Sequence, residues 1–318
     1  MGLGTNHVTT TTADKFIPEV WSDEIVATYK KSLVAANLVK KMSFKGKKGD
    51  TVHIPVPTRG SASVKSASTQ VTLIAATESE VTVSINKHYE YSRLIEDIVE
   101  AQALSSLRQF YTQDAGYALS KQVDTSIIQL GRGVNGATIG TNDYATSATT
   151  TKAFIGSDGT TAYNSSTSNA AALTDAAIRR TMQRLDDQDV PMDGRFFIIP
   201  PSSRNTLMGL ARFTEQAFTG ESGAGNTIRN GNIGDVYGVQ VYVSTNCDTA
   251  NDANDGSGTA QAARIALMAH KDAFVLVEQV GIRSQTQYKQ EYLGTLFTAD
   301  TLYGVAELRD YSSVALAV

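Results

Sequence analysis

Residues 49–57 read Gly49-Asp50-Thr51-Val52-His53-Ile54-Pro55-Val56-Pro57, and further on comes Glu80-Val81-Thr82-Val83-Ser84-Ile85. Both stretches alternate apolar with polar residues or Pro, the period of a strand with one buried face. Pro55 and Pro57 have no N–H to donate, which confines the first strand to an edge or a projecting ribbon. The chain between them is Ser/Ala/Thr-rich over 60–70, with a short apolar patch from Val71 to Leu73, too little bulk for a core. Residues 45–90 therefore read as a long two-stranded arm. A two-stranded ribbon by itself is marginal in water, so such an arm implies a partner.

On the N-terminal side, residues 1–15 are polar, with Thr9 to Thr12 in a row, and Phe16-Ile17-Pro18 reads as an extended apolar anchor. Ser22 is a good N-cap, and Asp23 and Glu24 suit the positive first turn of a helix. Ile25, Tyr29 and Leu33 continue it as one stripe, giving an N-terminal arm over 1–22 and a helical unit over 23–44.

On the C-terminal side, Leu94 to Leu130 contains no Pro and one Gly, with Leu119, Val123, Ile127 and Leu130 at helical spacing and Gly131 placed as C′. A helix of about thirty residues would be a rod of about 45 Å. Residues 131–172 are rich in Gly, Thr, Ser and Asn around isolated Tyr144, Phe154 and Tyr163, and read as a surface excursion. Thr174 is an N-cap with Leu173 and Ile178 as a hydrophobic staple, and Met182 and Leu185 extend that core face. Phe196-Phe197-Ile198-Ile199 has the continuous apolar character of a strand buried on both faces. Pro200-Pro201-Ser202 then opens a helix over about Ser203 to Leu210. Strands follow at Val239 to Val243, Ile265 to Met268, Phe274 to Val277 and through much of 282–318, with a Gly/Asn-rich loop at 219–235. Helices and strands mix without regular βαβ alternation, so the class is α+β.

Composition narrows the function. The 318 residues carry 28 Lys plus Arg against 32 Asp plus Glu, a net charge of −4, without the basic excess of a protein devoted to gripping nucleic acid. Between 40 and 65, however, Lys40, Lys41, Lys45, Lys47, Lys48, Arg59 and Lys65 face only Asp50. That segment is a solvated strand root, a contact for acidic residues on a neighbouring copy, or a nucleic-acid contact. The single cysteine, Cys247, rules out an intrachain disulfide framework and a Cys-based zinc cage. No signal-like N-terminus and no apolar run near the length of a membrane span are present, so a soluble chain, intracellular at synthesis and without membrane contact, is expected.

Motifs for chemistry are weak. Gly131-Arg132-Gly133-Val134-Asn135-Gly136 fits the dinucleotide pattern by letter but follows a helix instead of a strand, the wrong context for phosphate at a helix N-terminus. Asp252-Ala253-Asn254-Asp255-Gly256 lacks the acid that closes a calcium loop, because Ala263 stands there. Asp186, Asp187 and Asp189 gather at a helix C-terminus, where they mark a solvated face, an Arg partner or a metal. Four scattered histidines (His7, His53, His88 and His270) offer no nucleophile–base pair. No enzyme, catalytic residue, cofactor or metal is expected.

Phe16-Ile17-Pro18-Glu19-Val20-Trp21-Ser22, the arm opening at Gly49 to Pro55, Leu185 to Pro191 leading to Arg195 to Pro200, and Ile233 to Ser244 occur in an order that resembles the major capsid proteins of tailed bacteriophages, of the Hong Kong 97-type fold shared with encapsulins. The resemblance spans nearly the whole chain. It implies an extended loop at 45–90 reaching over a neighbouring subunit and a peripheral domain with a spine helix at 91–130 and 279–300. An axial domain would take 131–278 and 301–318, with 219–235 near the capsomer centre. It further implies self-assembly into hexamers and pentamers of an icosahedral shell in the virion, formed in the host cytoplasm around double-stranded DNA. A portal, a decoration protein and, since the N-terminal arm is short, a separate scaffolding protein are implied partners. Arg59, Lys65, Glu78 and Glu80 are the expected inter-subunit contacts. Some relatives crosslink a loop Lys to an Asn of another subunit; Tyr311 to Val318 contains no Asn, and no such bond is expected. The competing readings are an encapsulin-type compartment shell and a secreted adhesin or surface-layer protein.

Overall fold

The computed structural model describes residues 33–45, 48–57, 60–71, 73, 78–102, 107–133, 153–164, 169–210, 234–251 and 262–318. The expected N-terminal arm, Arg59, the 219–233 loop and the Asp252 to Gly256 loop lie outside these residues.

The described residues open with a single helical turn, α1 (Ala35–Leu38), and a strand, β1 (Lys40–Ser43). The expected helix therefore does not reach 44: β1 pairs in parallel with residues 275–278, and Val39, in extended backbone, is its buried lead-in. The arm strands are β2 (Thr51–Pro57) and β3 (Glu78–Ser84), antiparallel with Val52 opposite Val83 and Ile54 opposite Val81, as the alternation requires.

From β4 (Lys87–Glu96) onward the structure departs from expectation. Leu94 to Glu96 belong to this strand and not to a helix, and the helical stretch comprises α2 (Asp97–Gln102) and α3 (Leu107–Ile128), closed by a 3-10 turn, Gln129–Gly133. α3, at 22 residues, is about 33 Å long, and residues 103–106 between α2 and α3 lie outside the described residues. Gly131 lies within the 3-10 turn and does not act as a left-handed cap. The stripe itself is right: Leu119, Ile127 and Leu130 are buried and Val123 packs beside them.

The excursion at 131–172 is only partly superficial. β5 (Phe154–Ile155) pairs with the C-terminal strand, and Tyr163 is wholly buried in the core cluster. In α4 (Asp175–Asp186) the Thr174 hydroxyl accepts the Ala177 N–H at 3.3 Å, and Leu173 and Ile178 are both buried in one cluster. β6 (Arg195–Ile199) is buried throughout, and α5 (Pro201–Met208) starts two residues before the expected point, with Pro201 in its first turn.

The remaining strands are β7 (Asp235–Val236), β8 (Val239–Val243), β9 (Thr249–Asn251), β10 (Ala262–His270), β11 (Phe274–Lys289), β12 (Gly294–Glu307) and β13 (Ser313–Ala317). Two main sheets result: β1-β11-β12-β4, and a larger one ordered β5-β13-β10-β6-β8-β7 with β9 on β10. Domain boundaries at 278/279 and 300/301 would cut continuous strands; the four-stranded sheet takes the whole of β11 and β12. One cluster joins the sheets, with Phe274, Leu276 and Tyr303 from the smaller packed with Phe196, Ile198 and Leu267 from the larger, beneath Ile127 of α3.

Candidate assembly surface

The arm divides into a rooted base and an unburied tip. At the base, Val83 and Ile85 are buried with Val275 and Val277, and Val52, Ile54, Met42 and Phe44 pack around them. The expectation of an arm without core is thus corrected: 45–57 and 78–90 contribute to the chain's own packing, because the apolar face of the ribbon meets β11 and β12. The Ile85 N–H donates to Asp50 O at 2.7 Å, joining the two limbs of the base, and Gln279 Nε2 of the four-stranded sheet donates to Gly49 O at 3.1 Å.

Beyond Val56, 40% exposed, nothing among the described residues covers the described part of the ribbon. Val64 is 99%, Val71 64% and Leu73 90% exposed, while 60–71 has one turn at Ser66 to Thr69. Three apolar side chains held in water on a projecting segment lose the stabilisation that burial gives, of about 1.5–3 kcal/mol each, until another surface takes them up.

Of the expected contact residues, Lys65 is exposed at this tip and Glu78 is exposed where β3 begins. Glu80 faces His53 on the polar side of the ribbon, with Oε2 3.1 Å from Nδ1 and both side chains more than half exposed. Such an exposed pair is worth at most about 1 kcal/mol. Lys40, Lys41, Lys45 and Lys48 are exposed around the base.

A second exposed apolar surface, which the sequence reading missed, lies where β11 turns into β12. Tyr292 and Leu293 are 62% and 67% exposed, beside Ile98 at 60% and Val99 at 45%. The turn is held by the Asp97 N–H donating to Leu293 O at 3.0 Å and the Tyr288 hydroxyl donating to Asp97 Oδ2 at 2.9 Å. Only their adjacency in space makes these residues a patch, and no local pattern announces it.

The chemical motifs resolve into structure. Arg132 of the Gly-rich segment is buried and bidentate to Asp248, at 2.7 and 2.8 Å, so it supports the fold instead of a phosphate. Asp186 has the Arg partner that was one of its readings, since Arg195 Nη2 donates to its Oδ1 at 2.7 Å. Burial pushes the Cys247 thiol up to about 12, the state of an inert core side chain. Among the described residues, no group of three or more His, Cys, Asp or Glu is placed to hold a metal.

The two sheets share one core, and the arm carries apolar residues that no described residue covers. Comparison with known proteins gives the chain its family. The family model described as phage capsid protein matches residues 87–315. No curated protein matches the chain. A solved structure from Mycobacterium phage Che8 superposes with a TM-score of 0.72 at 22% identity, covering 95% of this chain and 97% of that one. The capsid structure of cyanophage P-SCSP1u gives 0.73 at 21% identity, over 99% and 96%. The capsid of Ralstonia phage GP4 gives 0.65 at 16%, over 94% of each chain. The chain belongs to the phage capsid protein family, as a major capsid protein of Hong Kong 97-type fold. These matches do not favour the compartment-shell and adhesin readings.

Proposed function

We propose that the chain builds an icosahedral shell from hexamers and pentamers of itself around double-stranded DNA, with each arm lying on the next copy in the ring. The observation that carries this is the contrast within the arm: a base rooted at Val83 and Ile85, and a tip with Val64 99% and Leu73 90% exposed. A contact in which one face of a copy meets a different face of the next is heterologous, and it closes into rings. The four-stranded sheet with α3 would be the peripheral part of such a ring, and the larger sheet the axial part. Lys65, Glu78 and Arg59 would meet charges on the neighbour, while Glu80, already beside His53, would add register more than strength.

The role is structural and non-enzymatic. The net charge of −4 fits a wall that packs against itself and meets DNA only through its backbone charge, without sequence preference. Assembly in the host cytoplasm would draw on a separate scaffolding protein and a portal, with a decoration protein as a further partner of the finished shell.

Negative-stain microscopy with sedimentation, at rising concentration and with co-expressed scaffolding protein, tests the reading. Closed shells, or rings of five and six, are expected from the full chain. A variant lacking 60–71 should keep its circular dichroism and its melting transition but form no shells. Shells of normal yield from that variant would overturn the role given to the arm.

A further inference from the structure

The seam between the two sheets raises a mechanical question. Much of the shared cluster there is alanine, including Ala250, Ala263, Ala269, Ala273 and Ala315. Those alanines let the sheets approach closely beside the larger Phe196, Phe274 and Tyr303, and apolar contact is non-directional. Hydrogen bonds are directional, and one buried group supplies them to both sides.

Asp124 of α3 has 0% exposure. Its Oδ1 accepts the backbone N–H of Ala35 at 2.7 Å, and Ala35 opens α1, which leads directly into β1 of the four-stranded sheet. Its Oδ2 accepts from Asn246 Nδ2 at 3.0 Å, and Asn246 lies in the turn that follows β8 of the larger sheet. The same Asn246 amide reaches the Thr125 hydroxyl at 3.0 Å, and its backbone N–H donates to Ser244 Oγ at 3.1 Å. Both donors to the carboxylate are neutral. A buried carboxylate held this way is costly as a stabiliser and makes sense as a device for specificity. Two bonds flank it: Ser126 to the Tyr303 hydroxyl of β12 at 2.9 Å, and Arg132 to Asp248.

We infer that Asp124 is a positioning residue that, through Ala35 and Asn246, holds the two sheets of a subunit at one angle and thereby sets the curvature of the shell. The second half of that statement rests on the shell reading above. The arm is rooted in the four-stranded sheet, so any change of angle between the sheets becomes a tilt between neighbours. Repeated around a closed surface, that tilt decides the radius.

The test uses Asp124→Asn, Asn246→Asp and the double swap. In Asp124→Asn the amide presents one acceptor and one donor to two N–H partners, so one bond is lost. In the double swap the amide now at position 124 accepts from the Ala35 N–H and donates to the carboxylate now at position 246, restoring both bonds. Spin labels at Gln285→Cys, on exposed β11, and Met192→Cys, 71% exposed beside the larger sheet, report the angle in the unassembled subunit. Cys247, 4% exposed, stays unlabelled. The parent should give one narrow distance, Asp124→Asn a distribution at least twice as wide, and the swap a narrow one again. Shells from Asp124→Asn should vary in diameter or fail to close, and those from the swap should be uniform.

An unchanged distance width in Asp124→Asn would overturn the joint. A widened distance with uniform shells of parental diameter would overturn its link to curvature. Because the distance is read on the lone subunit, it decides the joint even if the parent forms no shell, an outcome that would count against the assembly reading and its curvature clause only. Should Asp124→Asn fail to fold, Thr125→Val, which removes one partner of Asn246, must widen the distance in the same direction or the joint is overturned.

Discussion

Glu307, at the end of β12, is the carboxylate whose ionisation the fold opposes most plainly. Its Oε1 is buried without a hydrogen-bond partner, and burial, with Asp310 adding repulsion, pushes its pKa from 4.5 to about 8. The unfolded chain releases this proton near 4.5 and the folded chain only near 8, so the folded state binds more protons in between. Stability therefore falls as pH rises through that window, by at most about 5 kcal/mol. Glu307→Gln cannot ionise; its melting temperature in scanning calorimetry should exceed the parent's at pH 8.5 and show no such advantage at pH 5. Parallel pH profiles for the two would refute this account. Residues of this kind were invisible in the sequence, whereas Thr174 with Leu173 and Ile178 was legible, since a cap and its staple lie within one turn. Asp124 and Asn246 are 122 positions apart, and Arg132 and Asp248 are 116 apart, so no local pattern marks either pair. For Asp186 the chain offered three readings, and only the fold, by bringing Arg195 within 2.7 Å, chose one.

At the scale of elements, the base of the arm is held by a close approach that only glycine permits. A Cβ on Gly304 of β12 would stand 2.5 Å from Ser84 O and 3.2 Å from the Ile85 Cα, both backbone atoms that cannot swing aside. Gly304→Ala must lift the end of β3 from the sheet, at a cost of about 1–3 kcal/mol. Hydrogen exchange should then quicken at the Ile85 amide, which bonds Asp50 O, and leave β6 amides unchanged; equal protection in both proteins would mean that the approach is not restrictive. The two arm strands and their pairing face were legible because period-2 alternation is local. Their burial against Val275 and Val277 was not, because that half of the contact lies nearly two hundred residues away in the chain. The end of β4 reads as helix in the sequence for the same reason: Leu94, Ile95 and Glu96 carry no Pro or Gly signal, and only pairing with β12 makes them extended. β6 announced itself, since five residues buried on both faces must be continuously apolar apart from Arg195, whose Nε and Nη2 are bonded locally.

For the whole molecule, the α+β class was readable from the chain, and the shared core was not, because it joins Phe196 to Phe274 and Tyr303 across separate sheets. That shared core also has a consequence for assembly. If each copy both extends an arm and receives one, a copy without 60–71 retains its receiving face, since the deleted tip contributes nothing to the core, Val64 being 99% exposed. Such a copy can enter a ring but cannot pass the contact on. Mixed with the full chain before assembly, it should poison rings out of proportion to its amount. With a fifth of the pool truncated, independent filling of six positions leaves roughly a quarter of the rings complete, because a heterologous ring needs every contact in turn. Shell yield measured by sedimentation against the truncated fraction should follow that steep curve. A linear decline would mean that truncated copies are merely left out, and that the arm acts in the recruitment of a subunit instead of in the link to the next.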